Sequence, residues 1–303
     1  MRLLFWISAL SLTLGLARAA EAAASLTVAT YNLQNYLLES AGTRPAKALA
    51  EREQLTREVL HIRPDLLAVQ EIGPPPALQE FQERLRQAGW NLPHTELVGG
   101  WDTNIFVAIL SRYPLIARRS HSNDTFLLEG RRFHLGRGIV EVDVEPTPGF
   151  RITVLATHLK SKRPTARVDE AALREQEARV LRGHVEAILQ KDPQARVVVC
   201  GDLNDHPDSR PLRLLRSKGR MALTDTRPGE GLPDQLAKPR ANQRIVWTHF
   251  YAQEDSYARF DYVLLSPSLA KHWQAKRSYV YASPGWGTAS DHRPVVVELT
   301  LPR

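Results

Sequence analysis

Short apolar runs rich in β-branched residues recur along this chain, and they restrict its fold to one built on sheets. The predicted strands are residues 26–30, 66–69, 105–110, 139–144, 152–156, 197–200, 262–265 and 295–299. Runs of this length are typical of strands, several of them buried on both faces. Helical periodicity predicts helices at residues 45–61, 77–88 and 167–190. Helices interleaved with strands indicate an α/β sandwich.

Polar side chains cluster where these strands end or begin. Four strands are followed by such residues and two are preceded by them: Asn32, Glu71, His158, Asp202 and Asn204 follow, and Asp261, Asp291 and His292 precede. Because an antiparallel strand begins where its neighbours finish, all six clusters are predicted to meet at one edge of the sheets, where α/β proteins place their ligands. Singly, each residue is explained as a turn former, a cap or a solvated acid, but six such positions together favour a shared site.

The residue types in this cluster indicate a hard divalent cation. Crowded carboxylates repel one another unless a cation neutralises them, and an oxygen-rich set suits Mg²⁺, with Mn²⁺ as the alternative, better than zinc. Phosphoryl chemistry needs such a cation, an oriented water and a proton donor. The chain contains no Gly-x-Ser-x-Gly elbow, no phosphate-binding P-loop and no dinucleotide-binding glycine pattern.

Seven short motifs resemble, in order, those of the endonuclease/exonuclease/phosphatase superfamily, whose fold is DNase I-like. They are residues 29–32 (ATYN), 69–71 (VQE), 109–114 (ILSRYP), 157–159 (THL), 201–204 (GDLN), 260–266 (FDYVLLS) and 290–294 (SDHRP). The resemblance covers about residues 25–300. It implies a four-layer α/β sandwich in which helices flank two packed mixed β-sheets. The superfamily includes nucleases, inositol polyphosphate phosphatases and sphingomyelinases.

The resemblance also implies a metal site. Glu71 would be the principal ligand, with Asn32 and Asp291 beside the ion. Some nucleases of the superfamily carry an acid two residues after the position of Asn32, where this chain has Gln34. Gln34 therefore receives no predicted role.

Catalytic roles follow from the same resemblance. Asp202 would orient or deprotonate the attacking water, and Asn204 would hold that water or a phosphate oxygen. His292, oriented by Asp261, would contact the phosphate. His158 would stabilise charge on the scissile group or assist the leaving oxygen. The pairing of Asp261 with His292 is also expected on physical grounds, because a neighbouring carboxylate favours the protonated ring.

The substrate is less constrained, because the superfamily hydrolyses both phosphate diesters and monoesters. The predicted substrate contacts are the cations Arg137, Lys160, Lys162 and Arg163 and the ring of Trp286. Cations after the motif histidine are suited to a phosphate backbone, and a tryptophan is suited to base stacking. Exported bacterial nucleases of the superfamily carry similar basic runs here.

A nuclease is the leading hypothesis, and DNA and RNA are both open as its substrate. A phosphatase or phospholipase C-like enzyme acting on inositol phosphates or sphingomyelin is the alternative. A non-catalytic binding module on the same fold is the third.

The N-terminus has the pattern of a secretory signal peptide. Residues 1–19 comprise a short basic start, an apolar run too short to span a bilayer, and small residues before a cut preceding Ala20. Residues 20–303 are predicted to form one domain, monomeric and without a stable membrane span, in the periplasm or outside the cell. Removal of Arg2 and Arg18 lowers the net charge from +7 to +5, which suits an anionic partner.

Cys200 is the only cysteine, so no internal disulfide can form. Its position after three valines predicts a small buried residue and not a nucleophile. Stability must therefore come from a large apolar core, which a chain of this length can supply.

Overall fold

The computed structural model describes residues 24–166, 168–231 and 246–302. The predicted signal peptide lies outside these ranges. The strands, numbered β1 to β17 in chain order, are Ser25–Tyr36, Leu66–Ile72, His94–Val98, Phe106–Ser111, Leu115–Arg118, Thr125–Leu128, Arg131–His134, Val140–Val144, Ile152–His158, Val197–Asp202, Thr224–Asp225, Gly229–Gly231, His249–Tyr251, Ser256–Ala258, Asp261–Leu265, Tyr279–Tyr281 and Val295–Thr300. The helices α1 to α5 are Leu49–Ile62, Pro75–Gln87, Glu170–Lys191, Arg210–Arg216 and Pro267–Ala270.

Two mixed sheets contain most of the strands. The first has seven strands in the order β12-β16-β17-β1-β2-β4-β3, and the second has six in the order β11-β15-β10-β9-β8-β5. At the centre of each sheet a parallel pair, β1 with β2 or β9 with β10, adjoins an antiparallel strand, β17 or β15. Strands from the two ends of the chain therefore meet in the first sheet.

The layers are held together by three apolar clusters. One lies between the two sheets and contains residues such as Val28, Val154 and Val198. A second joins the outer face of the first sheet to α1 and α2, and a third joins the outer face of the second sheet to α3 and α4. This arrangement is the predicted four-layer α/β sandwich, and that prediction is confirmed.

Cys200 belongs to the cluster between the sheets and is fully buried. Burial raises the pKa of its thiol to about 12, so the thiol stays protonated at neutral pH. These observations confirm the prediction of an inert core cysteine.

The three long helices were predicted with small errors at their ends. α1 begins at Leu49 and not at residue 45, because Lys47 continues the extended backbone and donates its N–H to the carbonyl of Leu37. α3 begins at Glu170, where the side chain of Asp169 caps it by accepting the N–H of Ala171 at 3.0 Å.

Several strands were not predicted, among them β3, β5 and the hairpins β6–β7 and β13–β14. Most are short or have mixed exposure, so they lack the continuous apolar pattern on which the prediction relied. None of the helices in the described ranges combines the length and apolarity that crossing a bilayer requires.

Candidate active site

The rows of side chains between the two sheets end in polar residues at one edge. Successive side chains of a strand alternate between faces, so residues two apart share a face. Val28, Thr30 and Asn32 form such a row on β1. Equivalent rows end at His158 on β9, at Asp202 on β10 and at Asp261 on β15, each continuing from residues of the apolar cluster between the sheets. The convergence predicted from sequence is therefore present.

Glu71 reaches this edge through a bulge. Regular alternation after Gln70 would point Glu71 toward the helix side, with Leu67 and Val69. Instead the ladder to β4 shifts register between Gln70 and Ile72, and Glu71 adopts φ +59°. A bulge of this kind re-aims one side chain, and here it places the Glu71 carboxylate beside Asn32.

The amide of Asn32 joins two carboxylates. Its Nδ2 lies 3.3 Å from Glu71 Oε1 and 3.0 Å from Asp202 Oδ2, and its Oδ1 accepts the N–H of Gln34 at 2.9 Å. Asn32 is fully buried, so these bonds satisfy a polar group that has no access to water. The two sheets are thereby linked at the site, because Asn32 and Asp202 belong to different sheets.

Asp202 lies at the centre of the cluster and is 1% exposed. Its Oδ2 lies 3.4 Å from His158 Nε2 and 3.7 Å from His292 Nε2, and its Oδ1 accepts the N–H of Asn204 at 2.9 Å. Burial raises the pKa of Asp202 to about 7, although the charge of His292 acts in the opposite direction.

Gly201 is required immediately before Asp202. It has φ +135°, and a Cβ at this position would lie 1.9 Å from the carbonyl oxygen of Thr157 on the neighbouring strand. Only glycine avoids that overlap, so the close approach of β9 and β10 at the site depends on it.

His292 and Asp261 form a buried ion pair. His292 Nδ1 lies 2.8 Å from Asp261 Oδ2. Burial alone would lower the pKa of His292, but the charges of Asp261 and Asp202 overcome it and raise the pKa to about 10. The ring therefore carries a positive charge at neutral pH and is aimed at Asp202.

His158 has the opposite protonation state. Burial lowers the pKa of His158 well below its ordinary value of 6.5, and the charges of Arg137 and His292 lower it further. The site thus combines a neutral imidazole and a protonated one on either side of a carboxylate, which is the pattern of groups set up for different proton-transfer roles.

Asp291 is held by residues that the sequence analysis did not assign. Gln34 Oε1 accepts the backbone N–H of Asp291 at 3.0 Å, so Gln34 positions this segment although it is not an acid. His249 Nε2 lies 3.7 Å from Asp291 Oδ2. Burial opposes ionisation of Asp291, yet His249 and His292 hold its pKa below the usual value. His249 is the first residue of β13 and forms a β-bridge to His292, and it lies outside all seven motifs, so no sequence signal pointed to it.

Among the predicted substrate contacts, Arg137 has the strongest electrostatic effect on the site. After burial, its charge is the largest cause that lowers the pKa of His158. Lys160 uses its ammonium within its own loop, donating to the carbonyls of Ser161 and Arg163 at 2.9 Å each. Lys162 pairs with Asp205 at 3.2 Å and lies 5.6 Å above the ring of Phe260.

Two buried side chains of α3 fix the loops that carry these cations. Glu177 accepts the N–H of Gly136 at 3.1 Å and that of Lys160 at 2.5 Å. Arg174 donates to the Lys160 carbonyl at 3.1 Å and to Asp205 at 3.0 Å. The basic loops are thus anchored to a helix, and Arg163 is exposed at their outer side.

Trp286 belongs to an aromatic cluster on the other side of the site. It is 38% exposed and packs edge-on against Trp247 at 4.6 Å and Phe250 at 5.7 Å between ring centroids. Phe250 donates its N–H to the carbonyl of Asp291 at 2.9 Å, so this cluster adjoins the predicted metal ligands. The base-stacking role of Trp286 stays a prediction.

The donor set fits a divalent cation. Within the described ranges, neither Glu71 nor Asp291 forms an ion pair with a lysine or arginine, and their side chains are 18% and 33% exposed. Two such carboxylates near buried Asp202 leave negative charge that an ion would neutralise. Asn32 presents its amide nitrogen to the carboxylates and its oxygen to Gln34, so its role as a ligand stays a prediction.

A sandwich of this kind with buried acids, amides and imidazoles at one edge is typical of phosphoric ester hydrolases that depend on divalent metals. The chain belongs to the endonuclease/exonuclease/phosphatase family, whose sequence model matches residues 29–292. No curated protein sequence matches the chain significantly.

Solved structures share this fold at low sequence identity. The human Nocturnin catalytic domain with bound sulfate is 17% identical with a TM-score of 0.64, covering 92% of this chain and 95% of its own. An AP endonuclease from Archaeoglobus fulgidus is 17% identical with a TM-score of 0.62, covering 91% and 100%. Sphingomyelinase C from Streptomyces griseocarneus is 18% identical with a TM-score of 0.58, covering 91% and 100%.

Replacement of Asp261 by asparagine tests the ion pair. We expect Asp261→Asn to lower the rate of phosphoester hydrolysis at least about 100-fold, because His292 loses the charge that keeps it protonated and oriented. The matched control is Asp65→Asn, which removes a buried carboxylate bonded to Thr27 and Arg112 and not to any predicted site residue. Both variants should lose stability, and only Asp261→Asn should lose turnover. Equal rates for the two variants, measured after folding is confirmed by circular dichroism, would contradict the role of Asp261.

Proposed function

We propose that this protein is an exported, Mg²⁺-dependent phosphodiesterase that hydrolyses nucleic acid by in-line attack of an activated water. The observation that supports the proposal is that cations and an exposed aromatic ring both adjoin the catalytic cluster of His158, Asp202, Asp261 and His292. The charges of Arg137 and Lys160 act on His158, and Trp286 packs against Phe250, which donates its N–H to the carbonyl of Asp291. Cations suit a phosphate backbone and exposed rings suit bases.

The same surface argues against a lipid substrate. The hairpin β13–β14 exposes Tyr251 and Tyr257 next to the site, but its turn carries Gln253, Glu254 and Asp255. Acidic side chains at a hairpin tip are unfavourable in the interior of a bilayer. The structural similarity to a sphingomyelinase C is a similarity of fold, so it does not favour lipid over nucleic acid.

In the proposed reaction one residue acts on the attacking water and others act on the phosphate group. Asp202, held by Asn32 and by the N–H of Asn204, orients the attacking water and accepts its proton. His292, aligned by Asp261, donates a hydrogen bond to a non-bridging phosphate oxygen. His158 stabilises charge at the scissile group from the opposite side of Asp202. Preorganised donors of this kind stabilise the charge that develops in the transition state.

Glu71 and Asp291, with Asn32 beside them, would hold the metal ion. When bound, Mg²⁺ supplies positive charge that stabilises the phosphate oxygens during displacement. Their oxygen ligands suit Mg²⁺ or Mn²⁺ better than a softer ion.

The substrate is tested by a panel of supercoiled plasmid, single-stranded DNA, RNA, inositol phosphates and sphingomyelin, each with Mg²⁺ and with EDTA. We expect hydrolysis of one or more nucleic acids with Mg²⁺ and none with EDTA. Activity confined to inositol phosphates or sphingomyelin would contradict the nucleic-acid assignment. Binding of nucleic acid without hydrolysis of any substrate would instead support a non-catalytic module.

Two arginines allow a matched test of whether cations beside the site contact nucleic acid. Arg137 lies near His158, whereas Arg151 is exposed just before β9, at the end of the strand away from His158. Arg137→Ala should lower kcat/KM for nucleic acid and weaken its dependence on salt, because one phosphate contact is lost. Arg151→Ala should leave both unchanged.

The metal assignment is tested with Glu71→Gln. We expect half-maximal activity to need at least about 10-fold more Mg²⁺, because one negatively charged ligand becomes neutral. Glu53→Gln, on the exposed face of α1, is the control and should follow the wild-type titration. An unchanged Mg²⁺ titration in Glu71→Gln would remove Glu71 from the ligand set.

Export is tested on protein expressed from the full sequence in a bacterial host. Mass spectrometry of protein recovered from the periplasm or medium should give an N-terminus at Ala20. Full-length protein confined to the cytoplasm would contradict the signal-peptide assignment.

A further inference from the structure

A second cluster of metal-ligating side chains lies on the outer side of the second sheet. It consists of His121, next to the start of β8, Asp124, shortly before β6, and His184, on α3. One ligand atom of each residue lies within 4.8 Å of the others. None of the three takes part in the catalytic cluster.

The two imidazoles face each other at close range. Their ring centroids are 3.7 Å apart with an interplanar angle of 25°. His184 Nε2 lies 2.5 Å from Asp124 Oδ2, and His121 Nε2 lies 2.9 Å from Glu141 Oε2. An imidazole binds a metal through a nitrogen lone pair, and the two rings each offer a nitrogen within one small volume.

Lone pairs are available at this cluster. Nε2 of His121 faces Glu141, which leaves Nδ1 of this ring for a cation. Nε2 of His184 faces Asp124, so a cation bound by both residues would take the place of the hydrogen that they share. Within the described ranges, no hydrogen bond engages Nδ1 of either ring. The side chains of His121, Asp124 and His184 are 21%, 28% and 24% exposed, so an ion can enter from solvent.

The two nearby carboxylates differ in their partners. Glu141 is already neutralised by Arg119, whose Nε lies 2.5 Å from Glu141 Oε1. Asp124 has no ion pair in the described part of the chain other than that with His184. Asp124 is therefore the carboxylate left to bind a cation, while Glu141 fixes the ring of His121 from behind, as carboxylates commonly do for metal-bound histidines.

We propose that His121, Asp124 and His184 form a binding site for one zinc ion, separate from the catalytic centre. Two imidazoles and one carboxylate, with water in the fourth position, are a donor set that zinc accepts and Mg²⁺ does not prefer. The ordinary alternative is a pair of histidines that simply neutralise two acids. The open Nδ1 of His121, the absence of a lysine or arginine partner for Asp124 in the described ranges and the contact between the ring faces favour the metal site over that alternative.

The ion would join segments that are far apart in sequence. His121 is fixed by two backbone hydrogen bonds to Ile139, of 2.8 and 2.9 Å, directly before β8. His184 lies on the helix that carries Glu177 and Arg174, the residues that anchor the basic loops. Bound zinc would thus tie α3 to the edge of the second sheet and stabilise the folded state, because it binds that state selectively.

The test uses the whole protein and ZnCl₂, with affinity measured by competition against a chromophoric zinc chelator. Two other groups could take zinc, namely His249 with Asp291 and His292, and Asp202 with Asp261 and His292. The measurements are therefore made in a His292→Gln background, which alters both groups. We expect one equivalent of zinc to bind in that background. His184→Ala and, separately, His121→Ala should weaken binding more than about 100-fold, beyond the effect of losing an outer partner. His94→Ala, at a half-buried histidine of β3, is the control and should retain the site.

Thermal unfolding gives an independent readout. Zinc should raise the Tm in the His292→Gln background, and the rise should vanish in His184→Ala. His184→Gln, which keeps a polar side chain, replaces the alanine variant if that variant does not fold. With the native His292 restored, His184→Ala should keep its Mg²⁺-dependent hydrolysis, since His184 lies outside the catalytic cluster. Absence of a zinc equivalent in the His292→Gln background, or its retention in both histidine variants, would overturn the proposal.

Discussion

The burial of Asp202 at the end of the core between the sheets is the constraint on which the site depends. A carboxylate that is 1% exposed needs partners, and it finds them in Asn32 of the other sheet and in the imidazoles of His158 and His292. Asn32 and His158 each end a row of side chains whose other members are apolar or buried, and His292 is held by Asp261, which ends another row. The packing that holds the two sheets together therefore also sets the distances within the catalytic cluster.

Electrostatics and packing support each other at this position. His292 stays protonated because Asp261 and Asp202 lie close to it, while His158 stays neutral because it is buried near Arg137 and near the charge of His292. The carboxylates of Glu71 and Asp291 lie at the side of the cluster without a lysine or arginine partner in the described ranges. A divalent ion bound by them would complete a site in which charges of both signs are fixed before substrate arrives, which is the arrangement that lowers barriers in phosphoryl chemistry.

Much of this arrangement was predictable from sequence, because it depends on strand periodicity. The rows ending at Asn32, His158, Asp202 and Asp261 follow from alternation along regular strands. Glu71 was found by motif resemblance, but its orientation depends on a bulge with a left-handed backbone, which alternation does not predict. Gln34 and His249 were missed because they lie outside the motifs and act through side-chain contacts to the Asp291 segment, which strand alternation does not predict. Lys160 was predicted to contact substrate; its ammonium bonds to carbonyls of its own loop, and the contact with substrate stays a prediction.

Anomalous diffraction from crystals soaked in Mn²⁺ would show whether acids and amides from distant parts of the chain meet around one divalent cation. We expect a peak at about 2.0–2.2 Å from a carboxylate oxygen of Glu71. A peak bound elsewhere on the protein, with Glu71 left without metal at saturating Mn²⁺, would contradict this expectation.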